Sequence, residues 1–235
     1  MMIKGSVALV TGANRGLGAA FARGLLAAGA AKVYAAARDP AAVTLPGVEP
    51  VRLDVTQPEQ VSALARDLTD VTLLINNAGI GEFGPLLAPG AIEALQRQIE
   101  TNAIGPLRLV QAFAPVLAKN GGGAVVNMLS VLAWLTLPGR SGSYSASKAA
   151  AWALSNALRQ ELKAQHTELL AVHAGLIDTD MARAAQGTKI APDDVVRQAI
   201  AALEAGQSEL LADATSREVH AGLAAEPPVY LDAGA

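Results

Sequence analysis

The sequence predicts an α/β fold: one doubly wound domain over residues 1–235, a parallel sheet with helices on both faces. Three observations predict it. Short β-branched runs alternate with longer Ala- and Leu-rich stretches along the chain, which is the pattern of βαβ units. The first run passes straight into a glycine-rich turn and then into helical spacing. And 235 residues, 51% hydrophobic and 17% charged, hold enough apolar material to offset the entropy of ordering one substantial core.

The elements follow in order. Ser6 to Val10 reads as the first strand, and residues 16 to 28 place Leu17, Phe21, Leu25 and Ala28 at helical spacing, with Gly29 as a C-terminal stop. Lys32 to Ala36 is the second strand. Val51 to Val55 is the third, leading to Thr56 as the cap of a helix with Pro58 and Glu59 in its first turn. Val71 to Asn76 is the fourth strand. A long helix from about Ala91 to Leu117 is expected to be disturbed near Gly105 and Pro106, because proline removes an amide donor. Ala124 to Met128 is the fifth strand, Ser143 to Gln165 a helix and Glu168 to His173 a strand. Pro192 to Ala205 is helical, and Glu209 to Ala212 is a short last strand. No linker, repeat or low-complexity tract interrupts this order.

Composition excludes several functions. Eighteen Lys and Arg against 21 Asp and Glu, net −3, leave no basic block to neutralise a run of phosphates, so neither nucleic acid nor an anionic membrane is expected as a partner. Cysteine is absent, which removes disulfides, thiolate nucleophiles and Cys-ligated metals and fits a reducing compartment; the cytoplasm is expected. MMIKGSVALVTGA is broken by Gly5 and Ser6 and does not read as a signal peptide, and the uncharged stretch Asn120 to Gly139 contains too many polar residues for a membrane span. His166, His173 and His220 are scattered, so no metal site is expected, and His173 reads as a core or strand-end residue.

The turn after the first strand is TGANRGLG, with glycines at 12, 16 and 18. Such a turn lets the backbone approach a pyrophosphate, whose charge the free amides and the helix dipole stabilise. It lacks the Gly-Lys-Ser/Thr of a nucleoside triphosphatase loop.

The spacing Thr11-Gly12-xxx-Gly16-x-Gly18 resembles the classical short-chain dehydrogenase/reductase pattern. Asn76-Asn77-Ala78-Gly79, Asn102, Ser130, Tyr144-xxx-Lys148 and HAGLIDTDM at 173 to 181 follow in that family's order, over residues 3 to about 181. The resemblance implies a Rossmann-like fold and a nicotinamide dinucleotide held by Gly12, Asn14, Arg15, Gly16, Leu17, Gly18, Arg38, Asp54, Val55, Asn76, Ala78, Gly79, Tyr144, Lys148, Gly175, Ile177 and Thr179. It also implies a homo-oligomer, dimer or tetramer. The cofactor's type follows from charge. The second strand ends Ala36-Ala37-Arg38, without the acid that would accept from an adenosine ribose. Arg38 and Arg15 can both meet a 2′-phosphate, so NADP(H) is expected over NAD(H), with Asp39 as the counterargument. Asp54 resembles the family's adenine-binding Asp; a capping role is the other reading.

Tyr144 and Lys148 stand four apart in a helix, on one face. A phenol titrates near 10, and a neighbouring ammonium and the nicotinamide's charge are expected to lower it, making Tyr144 the acid or base for a carbonyl oxygen. Ser130 is expected to hold that oxygen. By resemblance Lys148 bonds the nicotinamide ribose, Asn102 binds a water leading to Lys148, and Thr179 bonds the carboxamide. The reaction implied is hydride transfer between NADP(H) and a ketone, aldehyde or alcohol. The substrate is expected to be apolar or aromatic, walled by Leu132, Trp134, Leu135, Met181 and Gly81 to Phe83, under an open lid at Met181 to Ile190. The alternatives are a dinucleotide-binding sensor or scaffold without chemistry and a Ser hydrolase. The latter is disfavoured because Ser143 stands where the second Gly of the G-x-S-x-G elbow belongs.

Three features depart from the family's pattern. The interval from Ser130 to Tyr144 has one extra residue near Arg140, Ala174 replaces the proline before Gly175, and Asp213 to Ala235 lacks a compact glycine-ended tail.

Overall fold

The computed structural model describes residues 1–232. Seven strands, β1 (Val7–Thr11), β2 (Lys32–Ala37), β3 (Glu49–Arg52), β4 (Leu73–Asn76), β5 (Gly123–Met128), β6 (Thr167–His173) and β7 (Glu209–Leu211), form one parallel sheet in the order β3-β2-β1-β4-β5-β6-β7. The order reverses between β1 and β4, the point at which doubly wound sheets open a crevice. The central strands are continuous apolar runs because both faces are covered. Ala8, Val10, Leu73 and Ile75 pack on the side of helices α1 (Gly16–Ala27) and α6 (Pro192–Glu204). Leu9 and Leu74 pack on the other, with α2 (Pro58–Asp67), α4 (Gly105–Lys119) and α5 (Gly142–Leu162). Among the described residues no helix is long and apolar enough to cross a membrane.

The predicted order of elements stands, with ends that shift for local reasons. Helix α1 ends at Ala27 with Ala28 as its C-cap, and Gly29 adopts φ 87° as the expected stop. Strand β3 ends at Arg52, not Val55: the Asp54 carboxylate accepts from the Thr56 amide (3.0 Å) and hydroxyl (2.7 Å), bending the chain out of the ladder. Thr56 is thereby engaged, and Gln57 rather than Thr56 precedes α2 as its N-cap. The long helix is three pieces, α3 (Ala91–Ile99), a π turn (Glu100–Ile104) and α4. Pro106 has no N–H to return to the Asn102 carbonyl, and the chain widens where one bond is missing. Beyond β7, Asp213 caps an unforeseen α7 (Ala214–Gly222) by accepting from the Ser216 amide at 2.7 Å, and a short α8 (Val229–Asp232) follows.

Candidate active site

The C-terminal ends of β1, β2, β4 and β5 open onto a cleft of about 1180 Å³. Its walls take in Gly12, Asn14, Arg15, Gly16, Leu17, Gly18, Arg38, Asp54, Val55, Ala78, Gly79, Tyr144, Lys148, Ile177 and Thr179, residues from six separate stretches of sequence. The glycine turn is built for close approach. Gly12 and Gly16 hold φ of 65° and 53°, and a Cβ at Gly12 would sit 3.1 Å from the Ala78 Cα. Thr11 pins the turn to the end of β4: its hydroxyl accepts from the Asn77 and Ala78 amides (3.0 and 2.9 Å), while the Asn77 side chain donates to the Thr11 carbonyl (2.9 Å). No side chain caps α1, so its first amides face the cleft free for an anion. These features fit the pyrophosphate of a dinucleotide.

Four expected residues stand behind the wall. Asn76 is buried and donates to Asn127 at 2.8 Å, which in turn donates to Ser155 at 2.8 Å, so its side chain joins a polar chain across the sheet. The Gly175 amide donates to Asp213 at 2.6 Å. That bond ties down the segment where Ala174 replaces proline, and Asp213 uses its other oxygen to cap α7. Asn102 is 2% exposed, and its side-chain amide is fully engaged: it accepts from the Ile80 amide and donates to the Ile80 carbonyl and to Ser147, each at 2.9 Å. The side chain thus holds the loop at Ile80. Ser130 lies beside Tyr144, and the extra residue near Arg140 is absorbed in the exposed turn before α5.

The two arginines differ. Arg38 is exposed on the rim, whereas Arg15 reaches across to Asp180 at 3.1 Å and is already paired. Asp39 accepts from the Ala41 amide (3.1 Å), which turns one of its oxygens away from the role of ribose acceptor.

Tyr144 sits in the first turn of α5, with Lys148 one turn further. Lys148 Nζ donates to the Met128 carbonyl at 2.8 Å and stands 5.8 Å from the centre of the Tyr144 ring. At that separation burial dominates. It pushes the Tyr144 phenol up to about 12, against a smaller downward pull from Ser130, and pushes Lys148 down to about 8. The expected lowering of the phenol is therefore not what the chain alone produces; Tyr144 keeps its proton at neutral pH.

Sequence reasoning missed a second amide clasp. Gln98, fully buried, accepts from the Glu82 amide (3.0 Å) and donates to the Glu82 carbonyl (3.2 Å) and to Ser143 (2.9 Å), repeating one turn earlier what Asn102 does with Ile80 and Ser147. The signal was present as polar residues four apart on both helices, Gln98 with Asn102 and Ser143 with Ser147. Trp134, expected as a wall, faces away and stacks on His173 at 3.9 Å and 15°. Leu132, Leu135, Glu82 and Phe83 also lie outside the cleft lining, and Met181 and Gly81 lie within it. The segment beyond Met181 returns at Ile190, whose bonds with Leu176 (2.8 Å) and Asp178 (2.9 Å) close its base.

His173 is fully buried, with Nδ1 3.2 Å from the Ser130 carbonyl and Nε2 3.3 Å from Glu209 but off the line a hydrogen bond needs. Burial pushes its pKa down to about 4. The unfolded chain therefore binds the extra proton between about pH 4 and 6.5, and stability rises with pH across that window. Compared with wild type, His173→Phe should lack a gain on the order of 3 kcal/mol between those pH values in denaturant melts. Equal slopes in the two proteins would show that His173 does not fold as a neutral ring.

Comparison with known proteins accounts for the arrangement. The short chain dehydrogenase family model matches residues 6–189. A short-chain dehydrogenase of Penicillium ochrochloron, ptmH, is 41% identical over 182 residues, 73% of this chain and 65% of its own length. The 3-oxoacyl-acyl-carrier-protein reductase FabG of Vibrio cholerae is 32% identical over 194 residues, 78% of each chain. This chain spans 48% to 65% of the length of the first three curated relatives it matches. Among solved structures, a Burkholderia cenocepacia short chain dehydrogenase in complex with NADP superposes with a TM-score of 0.92 at 43% identity, over 97% of this chain and 96% of that one. A Burkholderia phymatum short chain dehydrogenase/reductase in complex with NAD gives 0.79 at 27% identity, over 95% of each. With a family model spanning most of its length and a neighbour overlaying it almost end to end, this chain belongs to the short-chain dehydrogenase family, oxidoreductases on a Rossmann-like fold.

Proposed function

We propose that the protein reduces a ketone or aldehyde with NADPH, or oxidises the corresponding alcohol with NADP. The observation that carries this reading is that Tyr144 and Lys148 line the same cleft as the glycine turn, with Ser130 bonded to Tyr144 from behind the wall. A nicotinamide held along that cleft supplies or accepts the hydride.

The chain's own residues do the rest. Tyr144, protonated at neutral pH, gives its proton to the carbonyl oxygen as charge develops there. The Ser130 hydroxyl, already accepting from the Leu132 amide at 3.1 Å, donates to the same oxygen and holds it. Lys148, anchored on Met128, presents a cation beside the phenol and favours the phenolate left behind. Burial of all three excludes water that would screen these interactions. The test is absorbance at 340 nm with a panel of ketones, aldehydes and alcohols and both nicotinamides. NADPH consumed with a carbonyl supports the reading; binding without turnover across the panel overturns it in favour of a non-catalytic sensor.

The preference for NADP rests on Arg38, exposed at the end of β2 without a neighbouring acid at Ala37 and with Asp39 engaged in its own turn. Arg38→Asp should shift the ratio of kcat/KM from NADPH toward NADH by at least about tenfold, since it removes a charge-assisted bond and adds a repulsive carboxylate. Unchanged cofactor kinetics would remove Arg38 from that role.

A further inference from the structure

Two half-exposed apolar side chains stand at the mouth of the site, Phe83 at 51% and Met181 at 52% exposure. The Phe83 ring lies against the Tyr144 ring, centroids 5.2 Å apart and planes inclined by 44°. The two converge on residue 81: a Cβ at Gly81 would come within 2.8 Å of the Phe83 ring and 3.5 Å of the Met181 sulfur. The missing side chain at 81 is what lets Phe83 reach the tyrosine.

This ring is not at the tip of a loose loop. The Asn102 clasp holds Ile80 and the Gln98 clasp holds Glu82, so Gly81 is fixed from both sides. The Glu82 carboxylate takes a two-pronged bond from Arg97, at 2.9 and 2.6 Å, and the Gly84 amide donates to the Arg140 carbonyl at 2.7 Å. Both neighbours of Phe83 are thus tied to other parts of the fold. The pairing of Arg97 with Glu82 also satisfies the charge next to Phe83 in the chain.

We propose that Phe83, with Met181, is the substrate-selecting jaw of this site, that it takes the flat face of an aryl group on the carbonyl carbon, and that Gln98 is the positioning residue that keeps it against Tyr144. The proposal rests on the carbonyl-reducing reading above. An aromatic substituent gains there from an inclined ring and a thioether, contacts that an alkyl group exploits poorly.

The experiment compares kcat/KM for acetophenone and 2-butanone with NADPH. Wild type should favour the aryl ketone at least about tenfold. Phe83→Ala should lower that ratio about tenfold, Gln98→Ala several-fold, and Phe83→Tyr should preserve it. A second measurement needs no turnover. Phe83→Ala uncovers the Tyr144 ring, so a phenol should titrate at lower pH by ultraviolet absorbance, and the change should vanish in a Tyr144→Phe background. An aryl-to-alkyl ratio unmoved by Phe83→Ala, or a phenol titration unmoved by it, overturns the proposal. Protein that reduces 2-butanone without aryl preference sinks this inference and leaves the reaction standing. Protein that reduces neither ketone nor any other carbonyl sinks the reaction, and the titration then decides alone whether Phe83 covers Tyr144.

Discussion

Tyr144→Phe should cut turnover of a carbonyl substrate by at least about a hundredfold while NADPH affinity stays within a few-fold, the scale of losing one positioned proton donor. The substitution removes one oxygen and leaves the ring. Phe83 keeps its aromatic neighbour, and Lys148 keeps its bond to the Met128 carbonyl, so the cleft's shape is preserved. What disappears is the proton that burial holds on the phenol up to about pH 12. The cofactor's affinity is read by NADPH fluorescence titration and the turnover at 340 nm, so the two effects separate cleanly. Turnover retained in the variant would show that another group delivers the proton.

A single methyl at Gly18 should be almost as damaging, through binding instead of chemistry. A Cβ there would lie 2.1 Å from the Gly12 carbonyl oxygen and 2.6 Å from the Asn77 side-chain nitrogen. Backbone cannot give way as a flexible side chain can, so the turn must open and the Asn77 bond to Thr11 must stretch or break. We expect Gly18→Ala to weaken NADPH binding at least about tenfold and to cost about 3 kcal/mol, the upper end for overpacking a tight site. Gly84→Ala is the matched control, since nothing lies within 4 Å of its Cβ position, and its stability should stay within about 0.5 kcal/mol of wild type. Equal behaviour of the two variants would mean that the glycine turn tolerates rearrangement.

The residues differ in how much of their role could be read ahead. The Tyr144 and Lys148 pair was legible because a helix places residues four apart on one face wherever it packs. Pro106 announced a disturbance of the long helix because its missing N–H is a covalent fact, while the form it takes, a π turn, came only with the structure. Asp54 was harder, because an Asx side chain can end a strand, cap a helix or meet a ligand, and here it bends the chain through Thr56. Arg15 and Arg38 look alike in sequence, yet among the described residues only Arg15 finds a side-chain partner, Asp180, which is 165 residues away. The helices after β7 escaped notice because α7 is only 9 residues long and its cap depends on an aspartate that also serves Gly175.

By itself, then, the amino-acid order determined the succession of strands and helices, the glycine turn and the spacing of the phenol and the amine. Each depends on local periodicity, backbone freedom or covalent structure, which act within a few residues. Only the tertiary structure decided which polar groups face the cleft and which are tied up behind it, that Asn102 and Gln98 grip a loop, and that burial outweighs the Ser130 bond in setting the state of Tyr144. The reason is that a hydrogen-bond partner or a desolvating neighbour is supplied by distant segments once they pack, and no local pattern encodes who that neighbour will be.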